Sequence, residues 1–234
     1  MHTSFKDKDG VRSKHLIILA HPDPASLSVA YKDEVVKLTQ KAGSEAIVRD
    51  LYNIGFHPVL SGEDFAAFKE GKVPADIKLE QDYIRCADLI TFIYPIWWAG
   101  MPAMMKGYID RVFSRGFAYD IVGLGEIKKL LTGKRVVVLN NFGMTYDEYE
   151  QSGMLDALKR TSDTGIFEFC GMEIMTDPYV GKLCSDVWIK HRGKNAAVMY
   201  GCWAFCMRNF YRRVDKIKWR QITASIFKLL IFPP

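Results

Sequence analysis

The stretch that most constrains this chain is an apolar run, Leu89-Ile90-Thr91-Phe92-Ile93, followed by Tyr94-Pro95-Ile96-Trp97-Trp98-Ala99-Gly100-Met101-Pro102. The run is short and carries β-branched residues, which predicts a buried strand. Ala103–Ser114 then predicts a helix, and Pro102 suits its first turn, where a missing N–H costs nothing. In open α/β sheets such strand-to-helix loops lie at the carboxyl ends of the strands, where ligands bind. Two adjacent tryptophans in a loop call for a covering surface. A planar aromatic ligand is one; the domain itself or a second subunit is another.

The same alternation runs through the chain. His15–Ala20 predicts the first strand, apolar throughout as a central parallel strand should be. After it come His21-Pro22-Asp23-Pro24-Ala25-Ser26-Leu27-Ser28 and a helical pattern from Val29 to Lys41, which Ser26 or Ser28 can cap. A helix N-terminus collects anions through its free N–H groups, so His21 and the serines form a candidate phosphate cradle. Glu45–Leu51 predicts a second strand, Asp64–Lys69 and Ile77–Cys86 helices, Arg135–Asn140 a fourth strand and Glu173–Tyr179 the last. Strand alternating with helix predicts an α/β fold, a doubly wound five-stranded parallel sheet with helices on both faces. Gly123-Leu124-Gly125 follows no strand and completes no dinucleotide fingerprint, so it is assigned to a loop.

The 234 residues suffice for one domain with an added tail. The expected organisation is a polar segment over 1–14, a domain over 15–195, and a basic, aromatic tail over 196–234. Met1–Lys14 lacks an apolar core, so no signal peptide is expected. Ala196–Met207 is too short an apolar stretch to span a bilayer. Five cysteines, an odd count, argue for a reducing, cytoplasmic setting. Cys202 and Cys206 sit one helical turn apart without neighbouring ligand types, so no metal is expected. The formal charge of +5 resides in Met207–Pro234, where seven Lys/Arg face one acid, and the remainder is near neutral. That distribution argues against nucleic-acid binding by the whole fold. The tail is expected to pack on the domain or across a dimer, with peripheral attachment to an anionic membrane the alternative. Ser/His/Asp triads, metal clusters and phosphate-transfer loops do not stand out, so any chemistry comes mainly from a cofactor.

Longer motifs extend the first stretch. Tyr94-Pro95-Ile96-Trp97-Trp98, Met101-Pro102-Ala103-Met104-Met105-Lys106-Gly107, Asp110-Arg111-Val112-Phe113 and Gly116-Phe117-Ala118-Tyr119 follow in order over residues 94–119, with two residues between each and the next. Ala20-His21 with Ser26, and Gly165-Ile166-Phe167-Glu168-Phe169-Cys170-Gly171, add to them. This set resembles the flavodoxin-like NAD(P)H:quinone oxidoreductases, the family of DT-diaphorase and the modulators of drug activity, over roughly His15 to Tyr179.

The resemblance implies a flavin, FAD with FMN as the alternative, and NAD(P)H as co-substrate. It implies a ping-pong cycle in which hydride passes through the flavin to a quinone. Flavin phosphates are expected at His21, Ser26, Leu27 and Ser28, where animal enzymes often carry Phe-Asn in place of Leu27-Ser28. The ring is expected at Pro95, Ile96, Trp97, Trp98 and Ala99, and its pyrimidine edge at Asn141, Phe142, Gly143 and Met144. The family usually has Thr-Thr-Gly-Gly there, and only Gly143 matches in identity. Tyr149 corresponds to a family tyrosine that supplies proton and charge compensation, which makes Tyr149 and Gly143 the catalytic candidates. The companion histidine falls at Leu155, which carries no proton, and Tyr146 competes for the tyrosine role. A homodimer with the flavin at the subunit interface is implied. Two other readings share the site: a regulatory flavoprotein subunit of a membrane transporter, and a flavin-dependent azo- or nitroreductase. A one-electron carrier would need a hydroxyl-rich phosphate loop and an acidic face, which this chain lacks.

Overall fold

The computed structural model describes residues 13–143 and 146–175. Met144, the polar amino-terminal segment through residue 12, residues 176–179 of the last expected strand, Cys202, Cys206 and the basic tail lie outside the described residues. In chain order the domain runs β1 (Lys14–Leu19), α1 (Leu27–Lys41), β2 (Glu45–Asp50), α2 (Gly62–Lys69), α3 (Ala75–Cys86), β3 (Leu89–Pro95) and α4 (Ala103–Val112). It continues with β4 (Tyr119–Val122), β5 (Glu126–Lys129), β6 (Arg135–Asn141), the short helices α5 (Tyr146–Gln151) and α6 (Met154–Leu158), a π-helix (Lys159–Glu168) and β7 (Glu173–Ile174). Residues 143–152, which include α5, form a unit of their own; the remainder of the described chain forms the other.

Five strands pair in the order β2-β1-β3-β6-β7, every pair parallel. Parallel strands covered on both faces should be apolar throughout. β1 obeys this with Leu16, Ile17, Ile18 and Leu19 fully buried, and all seven residues of β3 are buried. Phe92 packs on Phe167 of the π-helix at 4.8 Å between ring centroids and on Phe113 at 6.3 Å. The chain steps outward from β1 to β2, then returns to place β3 on the other side of β1. That reversal makes the carboxyl ends of β1 and β3 the switch point, the place where doubly wound sheets bind ligands.

Several element boundaries shift by one or two residues from the sequence expectation, and one hairpin was not expected. α1 starts at Leu27, two residues early, because Ser26 is extended and its hydroxyl caps the Val29 N–H at 3.3 Å. β3 runs on through Pro95, which sits at the strand's last position, where it gives up no interior ladder bond. The Gly123-Leu124-Gly125 loop is the turn of an antiparallel hairpin, β4 with β5. Its strands alternate weakly and are mostly exposed, which hid them from a periodicity argument.

Candidate functional site

The β1–α1 loop begins at His21. Its Nδ1 accepts the Asp23 N–H at 3.0 Å, so the neutral ring carries its proton on Nε2, leaving a donor pointing away from the turn. Asp23 ties the loop by accepting the Ala25 N–H at 2.8 Å. With Val29 N–H held by Ser26 and Ala30 N–H by the Ser26 carbonyl, Leu27 and Ser28 keep N–H groups that have no intrahelical acceptor. The Ser28 side chain does not join them. It is fully buried and its hydroxyl donates to Asn141 Oδ1 at 2.9 Å, linking α1 to the end of β6.

The β3–α4 loop is a tight two-residue turn. Trp97 and Gly100 exchange both backbone hydrogen bonds at 3.1 Å, and between them Trp98 and Ala99 have φ of 49° and 57°. Both central residues are thus left-handed, in a turn that normally takes Asn-Gly. Each such non-glycine residue costs about 1–2 kcal/mol, so the surroundings must hold the turn in place. The Ile96 N–H donates to the Asn141 carbonyl at 2.8 Å, anchoring the loop to β6. Trp97 meets the edge of His21, ring centroids 5.7 Å apart, so the phosphate-type loop and the aromatic loop touch. Trp98 is fully exposed, with a relative accessibility of 103%.

Beneath these loops lie polar groups at the ends of β3 and β6 that the sequence reading missed. Tyr94 and Asn140 are register partners at the ends of β3 and β6, and the Tyr94 side chain is buried. Ser162 Oγ lies 2.8 Å from Asp163 Oδ1 and 2.8 Å from the Leu158 carbonyl. Burial pushes the Tyr94 hydroxyl well above the usual phenol range and raises the Asp163 carboxyl. Asn140 Oδ1 is buried and has no partner. The only signal in the sequence is that polar residues occupy the ends of two otherwise apolar strands.

Of the expected site residues, His21, Ser26, Leu27 and Ser28 lie at one loop, and Pro95, Ile96, Trp97, Trp98 and Ala99 at the next. Asn141 closes β6, and Phe142, which follows it, is buried. Gly143 and Tyr149 fall in the separate unit of residues 143–152, where Tyr149 lies in α5 and its carbonyl accepts the Ser152 hydroxyl at 3.1 Å. Leu155 lies in α6. Among the described residues no group of His, Cys, Asp and Glu is arranged to hold a metal, and no helix is long and apolar enough to cross a membrane.

The donor set fits a flavin nucleotide: free helix N–H groups and a His N–H for phosphate, next to an exposed indole for a planar ring. This geometry defines a doubly wound α/β protein with the β1–α1 and β3–α4 loops meeting at the switch point of its sheet. Residues 13–182 match the family described as having a flavodoxin-like fold. Over 160 residues the chain is 41% identical to an uncharacterized NAD(P)H oxidoreductase of Haemophilus influenzae, covering 68% of this chain and 79% of that one. It is 31% identical over 182 residues to NAD(P)H dehydrogenase [quinone] 1 of Rattus norvegicus, covering 68% of this chain and 65% of the rat protein, just under two thirds of its length. The solved structure of an NAD(P)H:quinone oxidoreductase from Methanothermobacter marburgensis superposes with a TM-score of 0.66 at 24% identity, covering 86% of this chain and 96% of that one, which supports the fold. The chain belongs to the flavodoxin-like NAD(P)H oxidoreductase family that includes the quinone reductases.

Proposed function

We infer that this protein is a flavin-dependent NAD(P)H:quinone oxidoreductase, working by two-electron hydride transfer in a ping-pong cycle. The observation that carries the reading is the contact of His21 with Trp97, which joins an anion-collecting helix start to an aromatic loop at the sheet's switch point. Bound there, a flavin supplies the chemistry, accepting hydride from NAD(P)H and delivering it to the quinone. The chain's residues do the rest. The N–H groups of Leu27 and Ser28 and Nε2–H of His21 hold phosphate, with Ser26 shaping the helix start. Pro95, Ile96, Trp97, Trp98 and Ala99 carry the ring, and Trp98 offers it a flat apolar face. Backbone donors of Asn141 and Phe142 meet its pyrimidine edge; Gly143, Met144 and Tyr149 are carried over from the family resemblance as candidates for that edge and for charge compensation.

FAD is the favoured flavin, since the family's members commonly use it, and FMN is the alternative. A homodimer accounts for the full exposure of Trp98, which needs a covering surface. A cytoplasmic setting follows from the unpatterned cysteines.

The reading is tested by purifying the protein, releasing its flavin by heat and weighing it, then following turnover with NADH, NADPH and a quinone panel. A yellow protein with FAD and quinone-dependent NAD(P)H oxidation is the expected result. A colourless protein that binds neither flavin overturns it. Tyr149→Phe should slow flavin reduction on the order of 100-fold, as loss of one donor at a developing negative charge does, with Tyr146→Phe as the control. Unchanged reduction in Tyr149→Phe, or equal losses in both, removes Tyr149 from the mechanism.

A further inference from the structure

The two ligand loops are tied to one residue. Asn141 ends β6 as the register partner of Pro95. Its carbonyl accepts the Ile96 N–H at 2.8 Å, and its side-chain Oδ1 accepts the Ser28 hydroxyl at 2.9 Å. Ile96 leads into the Trp97–Gly100 turn, and Ser28 lies in the first turn of α1. Asn141 thus holds the aromatic loop by its backbone and the anion-collecting helix start by its side chain. Ser28 is fully buried, and a buried hydroxyl is costly to leave without a partner.

A second contact joins the same two loops, where the His21 ring meets Trp97 with centroids 5.7 Å apart. One contact lets a loop pivot about it; two contacts at separate points fix both spacing and angle. Of the two, the Ser28–Asn141 hydrogen bond is the directional one, because an edge contact between rings tolerates sliding. The offset matters for a ligand with an anionic end and a planar end. Each end is recognised on a different loop, and binding costs less ordering where the loops already stand at the matching separation.

We propose that the Asn141 side chain is a positioning group: through Ser28 it holds the start of α1 at a set offset from the aromatic loop that the Asn141 carbonyl anchors, matching the helix N–H groups and the tryptophan loop to one nucleotide. That the nucleotide is a flavin rests on the quinone-reductase reading; the tie between the loops does not. Truncating either side chain to alanine leaves the Asn141 carbonyl bonded to Ile96. The aromatic loop then stays anchored while the helix start comes loose from it.

The test uses the full-length protein and compares FMN, whose ring carries a phosphate, with riboflavin, whose ring carries none. Ser28→Ala and Asn141→Ala should each weaken FMN binding by about 2–10-fold, the worth of one hydrogen bond, and leave riboflavin binding unchanged. The double variant should lose no more than either single one, because both remove the same bond. Ser28→Asn combined with Asn141→Ser exchanges hydroxyl and carboxamide across the contact while keeping the total side-chain volume, and should recover most of the FMN affinity. Losses that multiply in the double variant, or an equal loss of riboflavin, overturn the proposal, as does an exchanged pair that folds without recovery. If the exchanged pair fails to fold, the other three variants decide. In the flavin-free protein, amide hydrogen exchange reads the tie directly. Asn141→Ala should speed exchange at the Val29 and Ala30 N–H groups and leave the Ile96 N–H unchanged. Unchanged exchange at Val29 and Ala30, or equal speeding at Ile96, also overturns the proposal. A protein that binds neither FMN nor riboflavin overturns the flavin reading, and hydrogen exchange alone then decides the tie.

Discussion

The two ends of the β3–α4 passage are built on opposite terms. Behind α4, the buried charges are answered, and Gln81 Oε1 is the one buried side-chain atom of α3 without a described partner. Arg111 donates from Nε and Nη2 to both oxygens of Asp64, at 2.8 and 3.0 Å, and from Nη1 to Asp76 at 2.6 Å and the His57 carbonyl at 2.9 Å. The Arg111 hydrogen bonds hold the Asp64 carboxyl below the usual carboxylate range. Glu80 is shared by Arg49 and the buried Tyr108 hydroxyl. In front of α4, the loop holds two consecutive left-handed non-glycine residues, an exposed indole and helix N–H groups with no intrahelical acceptor. A saturated network has nothing left to offer a ligand and serves the fold. The unsaturated, strained loop costs stability and serves binding.

The largest effects should come from the saturated side. Arg111→Met leaves Asp64 buried and unpaired, and removing one partner of a buried pair costs about 3–5 kcal/mol. Urea unfolding should show that loss, and a change under 1 kcal/mol would mean that the network relaxes into water. Gly107→Ala comes next. Its Cβ would lie 2.0 Å from the Pro58 carbonyl oxygen, so α4 or the 56–58 segment must move. Such overpacking costs about 1–3 kcal/mol. Gly62, at the start of α2, is the control: a Cβ there meets no described atom within 4 Å, so Gly62→Ala should be neutral or slightly stabilising.

A smaller, pH-dependent effect lies deeper in the saturated region. His15 is buried between Thr39 and Thr91, its two ring nitrogens each 2.7 Å from a hydroxyl. Burial first, and the Arg135 charge second, lower its pKa to about 3. The folded state therefore keeps His15 neutral while the unfolded chain takes up a proton below about pH 6.5. The stabilisation is complete above that value and falls as pH drops toward the folded pKa, by about 1.4 kcal/mol per unit. His15→Gln should start less stable at pH 7.5 but follow a flatter curve from pH 6 to 4. Parallel curves would show that other groups carry the acid response.

Much of this contrast was legible in the sequence, but unevenly. The five-stranded sheet followed from apolar runs at β1, β3 and β6, whose period is that of buried parallel strands. The aromatic loop and the capped start of α1 were legible because their residues act locally: Ser26 caps and Pro102 punctuates. The saturated network was not. Asp64, Asp76 and Arg111 are far apart in sequence, and nothing local marks a charge as buried. The same holds for Tyr94 and Asn140, which become neighbours only once β3 and β6 pair. Ser28 shows the limit from the other direction. It was expected at the phosphate, yet the fold turns its hydroxyl to Asn141, more than a hundred residues away.

The smallest effect tests the strained side. Ala99 adopts φ 57°, a conformation that costs a residue with a Cβ about 1–2 kcal/mol. Ala99→Gly removes that strain but adds about 0.5–1 kcal/mol of backbone entropy to the unfolded state. The two oppose, and the net should be a stabilisation of up to about 1 kcal/mol, or a Tm rise of about 2–4 °C for a chain this size. Flavin affinity should move the other way, because glycine lets the turn between Trp97 and Gly100 sample other shapes and Trp98 loses its fixed aim. Thermal unfolding without flavin and fluorescence titration with flavin read the two effects separately. A lower Tm would mean that the turn is not strained. A higher Tm with unchanged affinity would mean that the strain is real but does not aim the indole, and the division between the stabilising and the binding side of α4 would then fail at this residue.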